Sequence, residues 1–146
     1  RESFFTAYEA RCRKPTLFPG VTEPLAAIDR KGLVWGIVTN KPQEFAEAIA
    51  ASTPPMARCA IVVGSRPGVP LKPAPDGILR ALKELALKPE QTLYTGDDRR
   101  DIEAGKAAGT STLLALWGYR PKDADTSLWA PDFTASSPED IIRLLP

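Results

Sequence analysis

The chain has 146 residues, 43% of them hydrophobic, which is enough to bury the core of one ordinary domain without disulfides, metals or repeats. Its 19 basic and 18 acidic residues leave a net charge of +1, and no polybasic run or basic amphipathic stretch points to a nucleic-acid or membrane-surface partner, so the expected partner is small. The longest charge-free stretch, residues 107–119, is 13 residues long, short of the roughly 20 that cross a bilayer. Cys12 and Cys59 have neither metal-site spacing nor the density of a disulfide scaffold, which fits a reducing cytoplasm.

The sequence opens on RESFFTAYEARCRK, with no methionine and no signal-peptide layout. Phe4, Phe5 and Tyr8 along one side predict an amphipathic helix, and such a start suits either a chain that begins mid-protein or a trimmed end. A second helix follows in VTEPLAAIDRKG, where Val21, Leu25 and Ile28 share a face, Pro24 sits in the first turn and Gly32 is the stop. The near-continuous apolar run LVWGIVT, residues 33–39, predicts a strand buried on both faces. The alternation continues with a helix over 43–51, a strand over 60–64, a helix over 76–87 with Ile78, Leu82 and Leu85 inward, and a strand over 92–96. A helix over 100–108, a strand over 111–117 and a last helix over 138–145, capped by Ser137, complete the chain. Between them, residues 66–75 hold four of the 15 prolines and must form an extended loop. Strands alternating with helices imply an α/β fold with a parallel sheet flanked by helices.

Ligands of such sheets bind beyond the carboxyl ends of the strands. Thr39 and Asn40 end one predicted strand, Lys72 lies in the proline-rich loop after the next, and Asp97 ends a third. A hydroxyl with neighbouring N–H groups can hold phosphate oxygens, an ammonium can offset their charge, and carboxylates can hold Mg2+. GDDRRDIEAGKAAG adds Asp98 and Asp101 to Asp97, three carboxylates within five positions, which a hard cation among them would reconcile. Each feature also has a structural reading: a strand-end turn for Thr39-Asn40, a solvated loop lysine for Lys72, and helix-start chemistry for the aspartates. Three aspartates exceed what one helix start needs, which favours the metal.

In order, GIVTNKP, LKPAPDGIL and YTGDDRRDIEAGKAAG resemble the second, third and fourth motifs of the haloacid dehalogenase superfamily of phosphatases. FPGV, VTNKP and the pair Gly118-Tyr119 resemble its phosphoglycolate phosphatase group, and WGIVTNKPQEFAEAI with GYRPKDADTSLWAPDF is similar to a branch acting on N-acetylmuramic acid 6-phosphate. The resemblance implies a Rossmann-like core over residues 16–146 and, over 1–15, the last helix of a cap domain. It implies that Thr39 and Asn40 bind the transferring phosphoryl group, that Lys72 stabilises it, and that Asp97 ligates Mg2+. By the same resemblance Asp101 supports the metal shell or Lys72, and Asp98 stands where many relatives have serine.

The family's first motif, an Asp-x-Asp that supplies nucleophile and general acid, has no counterpart upstream of Thr39; the only such triplet, at 123–125, follows the last motif. The expectation is therefore the C-terminal portion of a phosphatase, inactive alone and lacking the central first strand, whose absence leaves two half-sheets. Its substrate would be a small phosphorylated metabolite or sugar phosphate, and its partner could be its own missing N-terminal segment. An inactive phosphate-binding or regulatory protein, or an assembly subunit docking through strand edges, are the alternatives.

Overall fold

The computed structural model describes residues 22–117 and 126–146. The expected helix bearing Phe4, Phe5 and Tyr8, the division at residue 15, Cys12, the pair Gly118-Tyr119 and the Asp-x-Asp triplet at 123–125 lie outside the described residues. Helix α1 spans Thr22–Arg30, strand β1 Ile37–Pro42, helix α2 Gln43–Ser52 and strand β2 Val62–Ser65. Helix α3 spans Asp76–Glu84, strand β3 Leu93–Gly96, helix α4 Arg99–Ala108, strand β4 Ser111–Ala115 and strand β5 Phe133–Ala135. Short 3-10 helices occupy Met56–Arg58, Pro89–Gln91, Thr126–Trp129 and Pro138–Leu144. No helix among the described residues is long and apolar enough to cross a membrane.

All ladders are parallel, and they fall into two sheets: β1 with β2, and β3 with β4 and β5. Among the described residues no ladder joins β1 to β3. Side chains bridge them instead, most directly where the Tyr94 hydroxyl donates to the Val38 carbonyl at 3.3 Å. One core joins the two sheets: Val38 of β1, Val63 of β2, Ile78 and Leu82 of α3, Tyr94 of β3 and Ala104 of α4 form a single cluster. A second cluster, Ile37, Ile49, Ala50 and Met56, seals α2 against the other face of β1. Ile102, Leu113 and Leu114 are fully buried, and each such side chain contributes about 1.5–3 kcal/mol through removal from water.

Several boundaries differ from the sequence expectation. The run 33–39 is a strand only from Ile37, because Leu33 N–H still closes α1 on the Ile28 carbonyl and Val34 is half-exposed. Trp35 is turned to Asp29, to which its indole donates at 3.1 Å. Helix α3 stops at Glu84 rather than 87: Ala86 takes φ 54 and Leu87 N–H returns to the Leu82 carbonyl, which leaves Leu85 half-buried at the cap. The terminal helix is 3-10, over Pro138–Leu144. Strand β5 has no apolar signature. It is held by pairing with β4 and by Asp132, whose carboxylate accepts from the Thr112 N–H at 2.8 Å and its hydroxyl at 3.1 Å.

Candidate functional site

Strand β1 delivers the first pair of site residues. Thr39 is buried, and its hydroxyl oxygen accepts from Lys41 N–H at 3.1 Å, a local turn that leaves the hydroxyl proton able to donate elsewhere. Asn40 reaches across to the proline-rich loop. Its Oδ1 accepts from Lys72 N–H at 3.0 Å and its Nδ2 donates to the Lys72 carbonyl at 3.3 Å, so one side-chain amide grips both polar groups of that residue. Such a reciprocal pair fixes the loop to the strand end in one register.

The fixed loop sends the Lys72 side chain inward. Its ammonium donates to Asp101 Oδ1 at 2.7 Å, to the Tyr94 hydroxyl at 2.9 Å and to the Val38 carbonyl at 3.1 Å, with only 2% of the side chain exposed. Asp101, 1% exposed, is the counter-charge. Its other oxygen accepts from the N–H groups of Asp97 and Asp98, each at 3.2 Å. Burial on its own pushes the Asp101 carboxyl up, but the Lys72 ammonium and the hydrogen bonds from Lys72 and the Asp98 backbone outweigh it and hold the group below the usual carboxylate range. A buried pair survives only when its remaining hydrogen-bonding capacity is met, and here both partners meet that condition.

The three neighbouring aspartates are thereby divided. Asp98 is the N-cap of α4, accepting from Arg100 N–H at 2.9 Å and from its guanidinium at 3.2 Å, whereas Asp101 belongs to Lys72. Asp97 is fully buried at the end of β3. Asp98 and Asp101 thus have protein partners, a helix start and a lysine, in addition to any cation beside Asp97. No group of three or more His, Cys, Asp or Glu side chains disposed to hold a metal occurs among the described residues.

Three contributors escape sequence reasoning. Tyr94 reads as an apolar strand residue, yet its hydroxyl joins Lys72 to β1. Gly96 reads as the end of a strand; a Cβ there would overlap Asp101, so only glycine lets that carboxylate lie against the backbone. Gln43 reads as a helix residue, but its amide donates to the Val62 carbonyl at 2.8 Å and accepts from Gly64 N–H at 2.6 Å, pinning the β1–α2 junction to β2. The pattern Thr-Gly-Asp-Asp held a signal for Gly96, since a glycine directly before clustered acids suggests close backbone approach.

Two parallel sheets flanked by helices, with a buried lysine–aspartate pair at their strand ends, define a Rossmann-like α/β domain. The chain belongs to the haloacid dehalogenase-like hydrolase family, whose model matches residues 1–115. It is 36% identical to an N-acetylmuramic acid 6-phosphate phosphatase of Pseudomonas aeruginosa over 99% of this chain and 65% of that protein. It is 38% identical to a phosphoglycolate phosphatase of Xanthomonas campestris pv. campestris over 94% of this chain and 63% of the relative. The fold matches a solved haloacid dehalogenase-like family hydrolase from Streptococcus pneumoniae with a TM-score of 0.81 at 26% identity, over 95% of this chain and 65% of that one. The chain thus spans less than two thirds of the length of these relatives.

Proposed function

We propose that the chain is the phosphoryl-binding portion of a Mg2+-dependent phosphomonoester hydrolase whose nucleophile lies outside these 146 residues. The observation that carries this reading is the buried Lys72, whose backbone Asn40 clamps to the strand end bearing Thr39 and whose ammonium pairs with Asp101 beside Asp97. The Thr39 hydroxyl and the Asn40 N–H bind phosphoryl oxygens, and Lys72 offsets the charge that spreads over them as the P–O bond breaks. Asp98 and Asp101 already serve the helix start and Lys72, so Asp97 is the residue assigned to Mg2+. Its donor chemistry fits, because Mg2+ takes one or two carboxylates and completes its shell with water and phosphate oxygens. When bound, the cation would neutralise phosphate charge and polarise a phosphoryl oxygen.

The missing element is a carboxylate aimed in line at phosphorus, since no Asp-x-Asp precedes Thr39 and the chain has no histidine to activate another nucleophile. That carboxylate would form an aspartyl phosphate as the alcohol leaves with a proton from a general acid; water would then release phosphate. On this reading the strand bearing it would pair between β1 and β3, which no ladder joins among the described residues. The same reading assigns residues 1–15 to a cap and 16–146 to the core, and places the protein in the cytoplasm. The substrates it implies are 2-phosphoglycolate or N-acetylmuramic acid 6-phosphate, both of which carry a carboxylate as well as the phosphate.

The test is complementation. The chain alone should release no phosphate from either ester, and adding a separately made N-terminal third of the Pseudomonas aeruginosa relative should raise the melting temperature and restore Mg2+-dependent release. Full activity of residues 1–146 alone, in a preparation shown by mass to hold no longer species, would refute the outside nucleophile. The two strand edges also favour a second reading, a phosphate-binding assembly subunit. Heat-stable pairing with the added segment without any turnover would select it.

A further inference from the structure

The end of β1 that carries Thr39 and Asn40 is not a regular strand. Val38 stands opposite Val63 and Pro42 opposite Ser65, so four steps along β1 are matched by two along β2, and the register shifts between them. The extra residues form a bulge, a device that re-aims side chains beside functional sites. Thr39, Asn40 and Lys41 occupy it. Lys41 N–H donates to the Thr39 hydroxyl at 3.1 Å, and the Asn40 amide takes both polar groups of the Lys72 backbone. On its N-terminal side the bulge is fixed by the ladder, Ile37 opposite Val62 and Val38 opposite Val63. On its C-terminal side stands Pro42, which has no N–H to give a ladder.

Gln43 supplies what Pro42 cannot. Ile37 N–H donates to the Ile61 carbonyl, so the polar groups of residues 61 and 63 face β1, whereas those of Val62 and Gly64 face the open edge of β2. The Gln43 side chain reaches that edge. Its Nε2 donates to the Val62 carbonyl at 2.8 Å and its Oε1 accepts from Gly64 N–H at 2.6 Å, the two bonds an adjoining strand would make. The second Nε2 proton goes to Glu47 Oε1 at 2.8 Å. A backbone N–H can only donate and a carboxylate can only accept, so these neighbours hold the amide in one orientation. The main chain passes over the same glycine: a Cβ on Gly64 would stand 2.6 Å from the Gln43 Cα and 2.8 Å from the Lys41 carbonyl oxygen. Strand β2 is thus gripped on its face by the main chain and on its edge by one side chain, and the bulge is closed between that grip and the ladder.

We propose that Gln43 is a positioning residue: its side-chain amide closes the bulge, and so fixes where Thr39 and Asn40 meet phosphoryl oxygens and where Asn40 holds the Lys72 backbone. Gln43 touches no substrate and acts through the two residues that do. The functional half of this inference rests on the phosphohydrolase reading, and the mechanical half on the geometry of β1 and β2.

Two independent readouts test it: amide hydrogen exchange of the chain, and its calorimetric titration with inorganic phosphate in Mg2+ buffer. Gln43→Met keeps the length of the side chain and removes its hydrogen bonds. Exchange at Gly64 should rise about tenfold or more. Because the bulge passes the loss to Asn40, exchange at Lys72 should rise with it, while Ala74, bonded within the loop to the Leu71 carbonyl at 2.9 Å, keeps its rate. Phosphate affinity should fall about tenfold. Thr112→Val, which cuts a hydroxyl bond to Asp132 in the other sheet, is the control for a general loss of stability and should leave phosphate affinity within about twofold. Gln43→Glu alone sets two carboxylates against each other and should bind phosphate as poorly as Gln43→Met. Adding Glu47→Gln exchanges donor and acceptor between the two side chains, keeps the bond to Gly64 N–H, and should recover part of the affinity; this comparison decides the matter where Gln43→Met does not fold. A Lys72 exchange rate or a phosphate affinity left unchanged by Gln43→Met, or a loss of affinity no greater than that of Thr112→Val, would overturn the inference and leave the phosphoryl site standing. An unaltered chain that binds no phosphate, or a Lys72→Ala chain that binds it undiminished, would instead remove the phosphoryl site and this inference with it.

Discussion

Replacing Asp101 by asparagine isolates one physical quantity, the charge of a buried counter-ion. Asparagine keeps the volume and an oxygen able to accept from the N–H groups of Asp97 and Asp98, so the local fold of the β3–α4 turn is preserved. What vanishes is the partner of an ammonium whose side chain is 2% exposed and 2.7 Å away. Removing one member of a buried pair costs about 3–5 kcal/mol, because the remaining charge has already lost its water. For a domain of this size that corresponds to a fall in Tm of roughly 10–15 °C. Thermal and urea unfolding at pH 7 read it directly. The exposed pair Arg99–Glu103, with side chains 69% and 44% exposed, is the control; Glu103→Gln there should cost less than about 1 kcal/mol. The double variant Lys72→Met with Asp101→Asn removes both charges and should recover much of the loss. An Asp101→Asn penalty no larger than that of the Glu103 control would show that the pair is not sealed from water, and the reasoning would fail.

The same carboxylate sets an acid limit. Its folded pKa lies below the unfolded value of about 3.9, so its stabilisation is complete above about pH 4 and disappears as pH falls through the folded value; the stability gap between the unaltered chain and Asp101→Asn should therefore close below pH 4, and a gap constant to pH 2 would contradict the assignment. Gly96→Ala should destabilise on the order of 3 kcal/mol, since the new Cβ must displace Asp101; near wild-type urea unfolding would show that the approach is not tight. Asp97→Asn should weaken Mg2+ binding by about tenfold or more in calorimetry with phosphate present, and unchanged Mg2+ affinity would end the metal assignment.

Much of this architecture is legible in the linear order of residues. Val38 and Val63 lie in short apolar runs, Ile78 and Leu82 repeat at helical spacing, and a proline-rich tract separates them, so strand, loop and helix follow one another as the periodicity indicates. These signals are local. Spacing of two or of three to four residues decides which face of an element shuns water, whatever the rest of the chain does. Boundaries are less secure for the same reason: Leu33, Val34 and Trp35 are as apolar as the strand they precede, yet the Leu33 N–H closes α1 and the Trp35 indole turns to Asp29.

The residue types of the candidate site, Thr39, Asn40, Lys72 and the three aspartates, are visible as motifs at strand ends. Their individual duties are not. Lys72 looks like any loop lysine until Asn40, 32 positions away, turns its backbone inward, and Asp101, 29 positions away, meets its charge. The aspartate cluster looks like one acidic group until the fold assigns Asp98 to a helix cap and Asp101 to Lys72. Tyr94 serves the core with its ring and the site with its hydroxyl, a double use that no periodicity encodes. The sequence alone indicated most of the helices and strands, though not β5, and which chemistry could gather at their ends, because those signals depend on neighbours along the chain. Tertiary structure decided which polar groups meet, because a buried charge takes whichever counter-charge the packing brings within about 3 Å, and that distance is set by every element between them.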